Sequence, residues 1–224
     1  MWNGLPVVIF GTSGYAKEMS CVIEDINSQN HINQFEFLGF VSENEDEVGK
    51  SLGKYKIVTS DKTFKEYSLK FFQLGVVLSM SSYKIKRKIY NNLCDIRNIV
   101  YPNIISPFAN ICDINSSIFG IGNIITGGCT LSCGLNIGNF NIININATVG
   151  HDCTIGDYCS INPLSSISGE VKIKDNVLIG AGSTIMQGVT IGENSSIGLG
   201  AFVVKDVEPN STMVCVPAKK IKSE

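Results

Sequence analysis

The sequence has little positive charge, and a long stretch of its second half has none. Its 224 residues include 18 Lys and Arg against 20 Asp and Glu, a formal net charge of -2. From position 98 to position 171 there is no Lys or Arg. Binding a nucleic-acid backbone needs clustered cations that displace its counterions. We therefore expect no nucleic-acid partner.

Long hydrophobic runs and paired cysteines are also missing. No apolar run approaches the roughly 20 residues that cross a bilayer, and the first residues lack the charged start and long apolar core of a signal peptide. The eight cysteines are scattered, and none forms a CxxC pair. Such cysteine usage is typical of a reducing compartment. We expect a cytoplasmic protein without a membrane span.

A period of six residues runs through the second half of the sequence. Every sixth residue from Phe119 to Val203 is apolar, which by chance has odds of roughly a few per million. The fifteen positions are Phe119, Ile125, Leu131, Ile137, Ile143, Val149, Ile155, Ile161, Ile167, Ile173, Ile179, Ile185, Ile191, Ile197 and Val203. Neither a helical period of 3.6 nor a strand period of 2 explains this spacing.

The flanking positions of each hexad predict short strands joined by corners. The residue two places before each apolar position is small or medium, except at Leu135, and residues i and i+2 of a strand share a face. The residue after it is often Gly or Asn, which tolerate tight bends. Three sides would make a coil of about 18 residues, and about five coils would stack at about 4.8 Å each, or roughly 24 Å.

The N-terminal part predicts a small parallel α/β domain. A buried strand at 5–10 is followed by a glycine-rich turn, GTSGYA, and a helix near 15–27. Such a turn lets backbone N–H groups approach a phosphate at the positive end of the helix dipole. Further strands are expected at 35–41, 55–58 and 74–79, with helices near 60–70 and 82–94. Pro102 and Pro107 mark the boundary before the repeat.

Three segments resemble those of the NeuD/PglD-type sugar acetyltransferases of the hexapeptide-repeat superfamily. They are IFGTSGYAKE near the start, VGHDCTIGDYCSINP in the repeat and VCVPAKKI at the end. The resemblance covers almost the whole chain. It implies a Rossmann-like sugar-nucleotide-binding domain over 1–100, and a left-handed β-helix that binds acetyl-CoA, with a C-terminal tail, over 101–224. It also implies a homotrimer with active sites between subunits.

The activity that the resemblance implies is acetyl transfer from acetyl-CoA to the amino group of a UDP-, dTDP- or GDP-linked 4-amino sugar, for surface glycan synthesis. O-acetylation of sialic acid or another sugar is a rival, because the same histidine base serves both reactions. A non-catalytic trimeric scaffold that binds ligands is a further alternative. A γ-type carbonic anhydrase needs three imidazoles, whereas the repeat holds one histidine. We expect no metal.

The resemblance also assigns roles to individual residues. His151 matches the general base of the family, and Asp152 would orient its imidazole and stabilise the imidazolium. A main-chain N–H near Gly169 would stabilise the thioester oxyanion. The residues expected to contact coenzyme A are Gly169, Gly180, Ala181, Leu199, Gly200 and Lys219. The residues expected to contact the nucleotide are Gly11, Thr12, Ser13, Gly14, Ser42, Glu43 and Ser81.

The sequence departs from the family pattern at several of these places. Ser160 stands where a second histidine is usual, and Tyr15 where a histidine is common. Ser42–Glu43 replaces paired aspartates after the second strand, and Ser81–Ser82 replaces a Gly-Asn or Gly-Asp pair. These departures leave open which acceptor the chain takes and whether the altered N-terminal motif still binds nucleotide.

Two residues have simpler interpretations than a catalytic one. Cys153 stands beside His151 and Asp152, but it occupies the small inward position of its hexad, so we expect it to fill the core. The other histidine, His31, lies in a polar stretch and is expected in a solvated loop.

Overall fold

The structure is a computed structural model that describes residues 3–221. It divides into two compact units between Ser106 and Pro107, six residues beyond the end of the N-terminal domain suggested by the sequence. Each unit is described by itself below.

The N-terminal unit alternates strands and helices. Its strands are β1 (Leu5–Phe10), β2 (Phe35–Ser42), β3 (Ser51–Leu52), β4 (Tyr55–Ser60), β5 (Leu74–Leu78), β6 (Ile99–Val100) and β7 (Ile104–Ile105). Its helices are α1 (Gly14–Ser28), α2 (Phe64–Ser68) and α3 (Tyr83–Leu93), with a 3-10 turn at Glu45–Glu47. The sequence predicts a helix over 60–70, but the Thr63 hydroxyl bonds the side chains of Thr59 and Ser60 in a turn, and α2 begins only after it.

One six-stranded sheet has the order β3-β4-β2-β1-β5-β6. All neighbours are parallel except β3, which pairs antiparallel with β4. The central strands β1 and β5 are almost fully buried, as expected for runs of Val, Ile and Leu in a parallel sheet. The chain turns from one side of β1 to the other between β4 and β5, so the carboxyl ends of β1, β2 and β5 open a crevice.

The C-terminal unit consists of short strands in three faces. The first face contains β10 (Ile124–Ile125), β13 (Ile142–Ile143), β16 (Ser160–Ile161), β19 (Leu178–Ile179), β22 (Ser196–Ile197), β24 (Thr212–Val214) and β25 (Lys219–Lys220). The second face contains β8 (Asn110–Ile111), β11 (Thr130–Leu131), β14 (Thr148–Val149), β17 (Ser166–Ile167), β20 (Thr184–Ile185) and β23 (Phe202–Val203). The third face contains β9 (Ile118–Phe119), β12 (Asn136–Ile137), β15 (Thr154–Ile155), β18 (Lys172–Ile173) and β21 (Thr190–Ile191). All of these strands pair in parallel except β25, which is antiparallel to β24.

The pairing register confirms coils of three hexads. Ile142 pairs with Ser160, and Thr148 with Ser166, each 18 positions along the chain. The register changes at both ends of the repeat. Leu131 pairs with Ile111, 20 positions earlier, and Thr212 pairs with Ser196, 16 positions earlier. The first coil is therefore longer, and the last one shorter, than the hexads predict.

The interior of the β-helix is the predicted apolar stripe. Every stripe residue from Ile125 to Val203 is buried, and only Phe119, at the start, is half-buried. The residues two places earlier are buried too, apart from the half-buried Ser117, and several serines and cysteines among them donate to backbone carbonyl oxygens inside the coil. Ser165 and Ser183 donate to the carbonyl oxygens of Gly180 and Gly198 at 2.9 and 2.8 Å. Many corner residues other than glycine, Asp152 among them, have a left-handed backbone.

Candidate functional site

His151 and Asp152 form a hydrogen-bonded pair at one corner of the β-helix. They follow β14, where the chain turns from the second face to the third. The Nδ1 atom of His151 lies 2.8 Å from Oδ2 of Asp152. The side chains are 48% and 65% exposed, so the imidazole is oriented by a carboxylate while its other edge can be reached from solvent. This arrangement suits a general base.

Gly169 lies against the imidazole ring, one coil further along. A Cβ atom on Gly169 would come 2.5 Å from Nε2 of His151 and 2.8 Å from Cε1, so only glycine leaves room for the ring in this position. The Glu170 N–H donates to the His151 carbonyl oxygen at 2.8 Å, which joins the two coils here. Within residues 3–221 the Gly169 N–H donates no hydrogen bond, so it is available to a ligand.

Cys153 follows Asp152 but takes no part in the exposed site. Its side chain is buried, and its thiol donates to the Ser168 carbonyl oxygen at 3.1 Å. Burial raises the pKa of this thiol, and the neighbouring Asp152 and Glu170 carboxylates raise it further. A buried thiol whose pKa is raised is a poor nucleophile. Cys129 and Cys159 donate to carbonyls in the same manner.

The residues expected to hold the pantetheine arm lie at the next corner, between the first and second faces. Ala181 and Leu199 are one coil apart there, and the Gly200 N–H donates to the Ala181 carbonyl oxygen at 2.9 Å. Leu199 is 79% exposed. A Cβ on Gly180 would come 2.7 Å from the backbone of Gly198 and Leu199, which explains the glycine. This corner and the His151 corner border the same second face.

Lys219 lies on β25, which pairs antiparallel with β24 at the end of the first face. Its side chain is exposed. Ser160, at the position of the family's second histidine, is buried in β16 between Ile142 and Leu178 of the neighbouring strands.

The crevice of the N-terminal sheet contains a cavity of about 480 Å³. Of the residues predicted to contact the nucleotide, Gly11, Thr12, Ser13, Ser42 and Glu43 line it. Gly14 begins α1 beside the cavity, and Ser81 follows the lining residues Ser79 and Met80; neither lines it. Gly11 has φ +113, and the Ser13 side chain does not cap α1. The first N–H groups of α1 are therefore not satisfied by this residue.

Several lining residues were not found by sequence reasoning, chiefly Asn44, Glu47, Asp61, Lys88 and Asn92. Burial raises the pKa of the Asp61 carboxyl, the Glu43 carboxylate raises it further, and Lys88 opposes this. The Ser42 hydroxyl donates to Oε2 of Glu47 at 2.6 Å. Asp61 directly follows β4, and a polar residue at the carboxyl end of a parallel strand is the signal that could have identified it.

Across residues 3–221, the structure shows neither a cluster of three metal-ligating side chains nor a helix long and apolar enough to cross a membrane. These findings concern the described part of the chain alone.

Two family models match the chain. Residues 6–93 match the PglD N-terminal domain, and residues 170–205 match the bacterial transferase hexapeptide repeat. Together with the parallel coils described above, they confirm the predicted fold class, an α/β domain followed by a left-handed parallel β-helix. No curated protein sequence matches the chain significantly.

Solved structures that are similar to almost the whole chain include acetyltransferases. The acetyltransferase domain of PglB from Neisseria gonorrhoeae FA1090 is 25% identical, with a TM-score of 0.82 over 96% of this chain and 99% of that one. PerB from Caulobacter crescentus, solved with CoA and GDP-perosamine, is 25% identical, with a TM-score of 0.80 over 97% of each chain. WeeI from Acinetobacter baumannii AYE is 25% identical, with a TM-score of 0.82 over 97% of this chain and 100% of that one. The chain thus has a PglD N-terminal domain followed by a hexapeptide-repeat β-helix, and over almost its whole length it is similar to acetyltransferases of the NeuD/PglD type.

Proposed function

We propose that this protein transfers the acetyl group of acetyl-CoA to the amino group of a nucleotide-linked 4-amino sugar. The observation that carries the proposal is the His151–Asp152 pair, exposed at a corner of a hexapeptide β-helix with its Nδ1–Oδ2 hydrogen bond formed. The similarity to PerB, solved with CoA and GDP-perosamine, supports both substrate classes.

In this reaction the acceptor nitrogen attacks the thioester carbonyl carbon and must lose a proton. The free Nε2 of His151 would take that proton, because Nδ1 is engaged with Asp152. The Asp152 carboxylate would hold the ring in one orientation and stabilise the imidazolium that forms. The carbon–sulfur bond then breaks, coenzyme A leaves as a thiol, and the imidazolium returns its proton.

Backbone and side chains around His151 would supply the rest of the acyl-transfer site. The Gly169 N–H, which lies beside the ring and donates to no other described group, would stabilise the oxyanion of the tetrahedral intermediate. Backbone at the corner of Gly180, Ala181, Leu199 and Gly200 would contact the pantetheine arm. Lys219, exposed on β25, would meet a phosphate of coenzyme A.

The cavity of the N-terminal unit would bind the nucleotide. Its position at the carboxyl ends of parallel strands, beside the N-terminus of a 15-residue helix, is where phosphates bind in open α/β sheets. The carboxylates of Glu43 and Asp61 would accept hydrogen bonds from ribose hydroxyls or base N–H groups. The presence of this cavity on the same chain is the observation that favours a nucleotide-linked acceptor over free sialic acid.

The exposure of His151 and Asp152 in a single chain favours an active site that a second subunit covers. Water would surround the imidazole unless another surface covered it, and excluding water strengthens the electrostatic effects on which catalysis depends. We infer a homotrimer in which a neighbouring copy covers the His151 corner. The absence of long apolar runs and paired cysteines from the sequence supports a cytoplasmic location.

The test compares His151→Ala with His31→Ala in assays with acetyl-CoA. His31 is the only other histidine and is exposed, so its variant is the matched control. We expect His151→Ala to lose acetyl transfer by about 100-fold or more, while acetyl-CoA binding and the oligomeric state persist and His31→Ala stays fully active. Unchanged turnover in His151→Ala would contradict the assignment of His151 as the general base.

The acceptor is identified by a kinetic panel of UDP-, dTDP- and GDP-4-amino sugars with free sialic acid. We expect one nucleotide amino sugar to be the best substrate. Preference for free sialic acid would establish O-acetylation instead. Binding of acetyl-CoA and nucleotide, with no transfer to any acceptor, would favour a ligand-binding scaffold. Thermal-shift screening with the same compounds reports binding independently of turnover.

A further inference from the structure

The Asp152 carboxylate rests directly on a glycine of the preceding coil. A Cβ atom placed on Gly134 would come 2.6 Å from Oδ1 of Asp152 and 3.5 Å from Cγ. The backbone adds to the contact, since the Asp152 N–H donates to the Cys133 carbonyl oxygen at 2.9 Å. One carboxylate oxygen thus points towards Gly134, while the other holds Nδ1 of His151.

Little else determines where this carboxylate lies. The Asp152 side chain is 65% exposed, and within the described residues its only hydrogen bond is the one to His151. The backbone of Asp152 is left-handed, with φ +57, which turns the side chain back over the coil that precedes it. The bare surface at Gly134 is therefore what allows the carboxylate to reach His151.

A second glycine bounds the same pair from the other side. Gly169, in the following coil, meets the imidazole ring where a Cβ would otherwise lie. His151 and Asp152 are therefore held between two positions without side chains, Gly134 under the carboxylate and Gly169 against the ring.

We propose that Gly134 is a positioning residue for acetyl transfer, which acts by leaving the space in which the Asp152 carboxylate orients His151. The proposal rests on the proposed function, because it assumes that the pair is catalytic. A methyl group at position 134 would push the carboxylate away by nearly 1 Å to reach an ordinary contact distance. Misplacement of a catalytic group by about 1 Å can cost on the order of 100-fold in rate.

The chain offers a matched control for the backbone cost of such a change. Gly128 has φ +72, close to the φ +67 of Gly134, and a Cβ there would also strike a side-chain oxygen of the next coil, Oδ1 of Asn146. Gly128 lies at the corner between the first and second faces, away from His151. Gly128→Ala therefore imposes the same kind of strain without disturbing the pair.

The experiment measures kcat, KM for acetyl-CoA and thermal stability in the full chain. We expect Gly134→Ala to lower kcat about 100-fold with KM for acetyl-CoA unchanged, and Gly128→Ala to keep its kcat although its closer clash costs at least as much stability. Gly134→Asn repeats the test with a residue that tolerates a left-handed backbone, in case the alanine variant does not fold.

A double-mutant comparison separates positioning from general damage. In an Asp152→Ala background there is no carboxylate to displace, so Gly134→Ala should lower kcat no further. If Gly134→Ala lowered kcat equally in both backgrounds, or if Gly128→Ala lowered kcat as much as Gly134→Ala does, Gly134 would not be a positioning residue. The proposed function would be unaffected by that result. Full activity in His151→Ala would instead overturn the proposed function, so the two failures are distinguishable.

Discussion

Replacing Gly169 by alanine should disable the imidazole while leaving the β-helix folded. The added Cβ would stand 2.5 Å from Nε2 of His151 and within 3 Å of Cε1 and Cδ2. An ordinary contact needs about 3.5 Å, so the ring must retreat by about 1 Å. Because the His151 side chain is 48% exposed, it can do so without disturbing the core, and we expect little change in Tm.

The catalytic cost of that retreat is much larger than its cost in stability. A displacement of about 1 Å costs on the order of 100-fold, which is about 2.7 kcal/mol of transition-state stabilisation. The retreat would also strain the 2.8 Å contact between His151 Nδ1 and Asp152 Oδ2. Steady-state kinetics with acetyl-CoA and the best acceptor of the panel, beside thermal unfolding of the same samples, measures both effects.

Gly138→Ala is the control for this prediction. A Cβ on Gly138 would strike the Gly156 carbonyl oxygen at 2.8 Å, at a corner that carries no predicted site residue. We expect Gly138→Ala to lower Tm and keep its kcat. We expect Gly169→Ala to keep its Tm and lose kcat. If Gly169→Ala kept its kcat, or lost it only in proportion to unfolding, the ring position seen here would not be the catalytic one.

Three further predictions test the cavity, the thiols and the core. Burial and Glu43 raise the Asp61 pKa from 3.8, so the folded chain holds this proton to higher pH than the unfolded chain, and the stability it contributes falls as pH rises through that window. Asp61→Asn should therefore raise Tm at pH 7 but not at pH 3.5, and no gain at pH 7 would contradict this. Cys153→Ala should keep at least half of the wild-type kcat, whereas the variant would lose all activity if the Cys153 thiol were the nucleophile. In the native protein, a thiol reagent should label the exposed Cys133 and should label the buried Cys153 only after unfolding. Ile173→Ala, at 1% exposure, should cost about 2–5 kcal/mol in chemical denaturation, and the adjacent exposed Lys172→Ala about 0.5 kcal/mol or less; equal costs would refute the inward stripe.

The candidate site shows where reasoning from sequence reaches its limit. His151 and Asp152 were identified by motif and Gly169 by the family resemblance, and the coil length of 18 places Gly169 beside His151 and Gly134 beside Asp152. The repeat does not predict the direction in which each side chain of the site points. That Asp152 turns one oxygen to His151 and the other to Gly134 depends on the left-handed backbone and on packing between coils.

The nucleotide cavity shows the same limit more strongly. The family resemblance predicted Gly11 and Ser42 as nucleotide contacts, and they lie at the carboxyl ends of β1 and β2, where they line the cavity. Asp61 and Lys88 come from segments far apart in the chain and meet only because the order of the sheet brings β4 and α3 to the same crevice. Strand order is a non-local property that local patterns of hydrophobicity do not contain.

The sequence by itself determined the β-helix, because each hexad repeats a local choice: an apolar residue inward, a small residue beside it, and a corner that tolerates a bend. It also determined that Cys153 would face inward with Cys129 and Cys159. Only the tertiary structure decided which atoms surround the imidazole and which carboxylates share the cavity. Those contacts join residues of different coils and strands, and their geometry is set by packing rather than by neighbours in the chain.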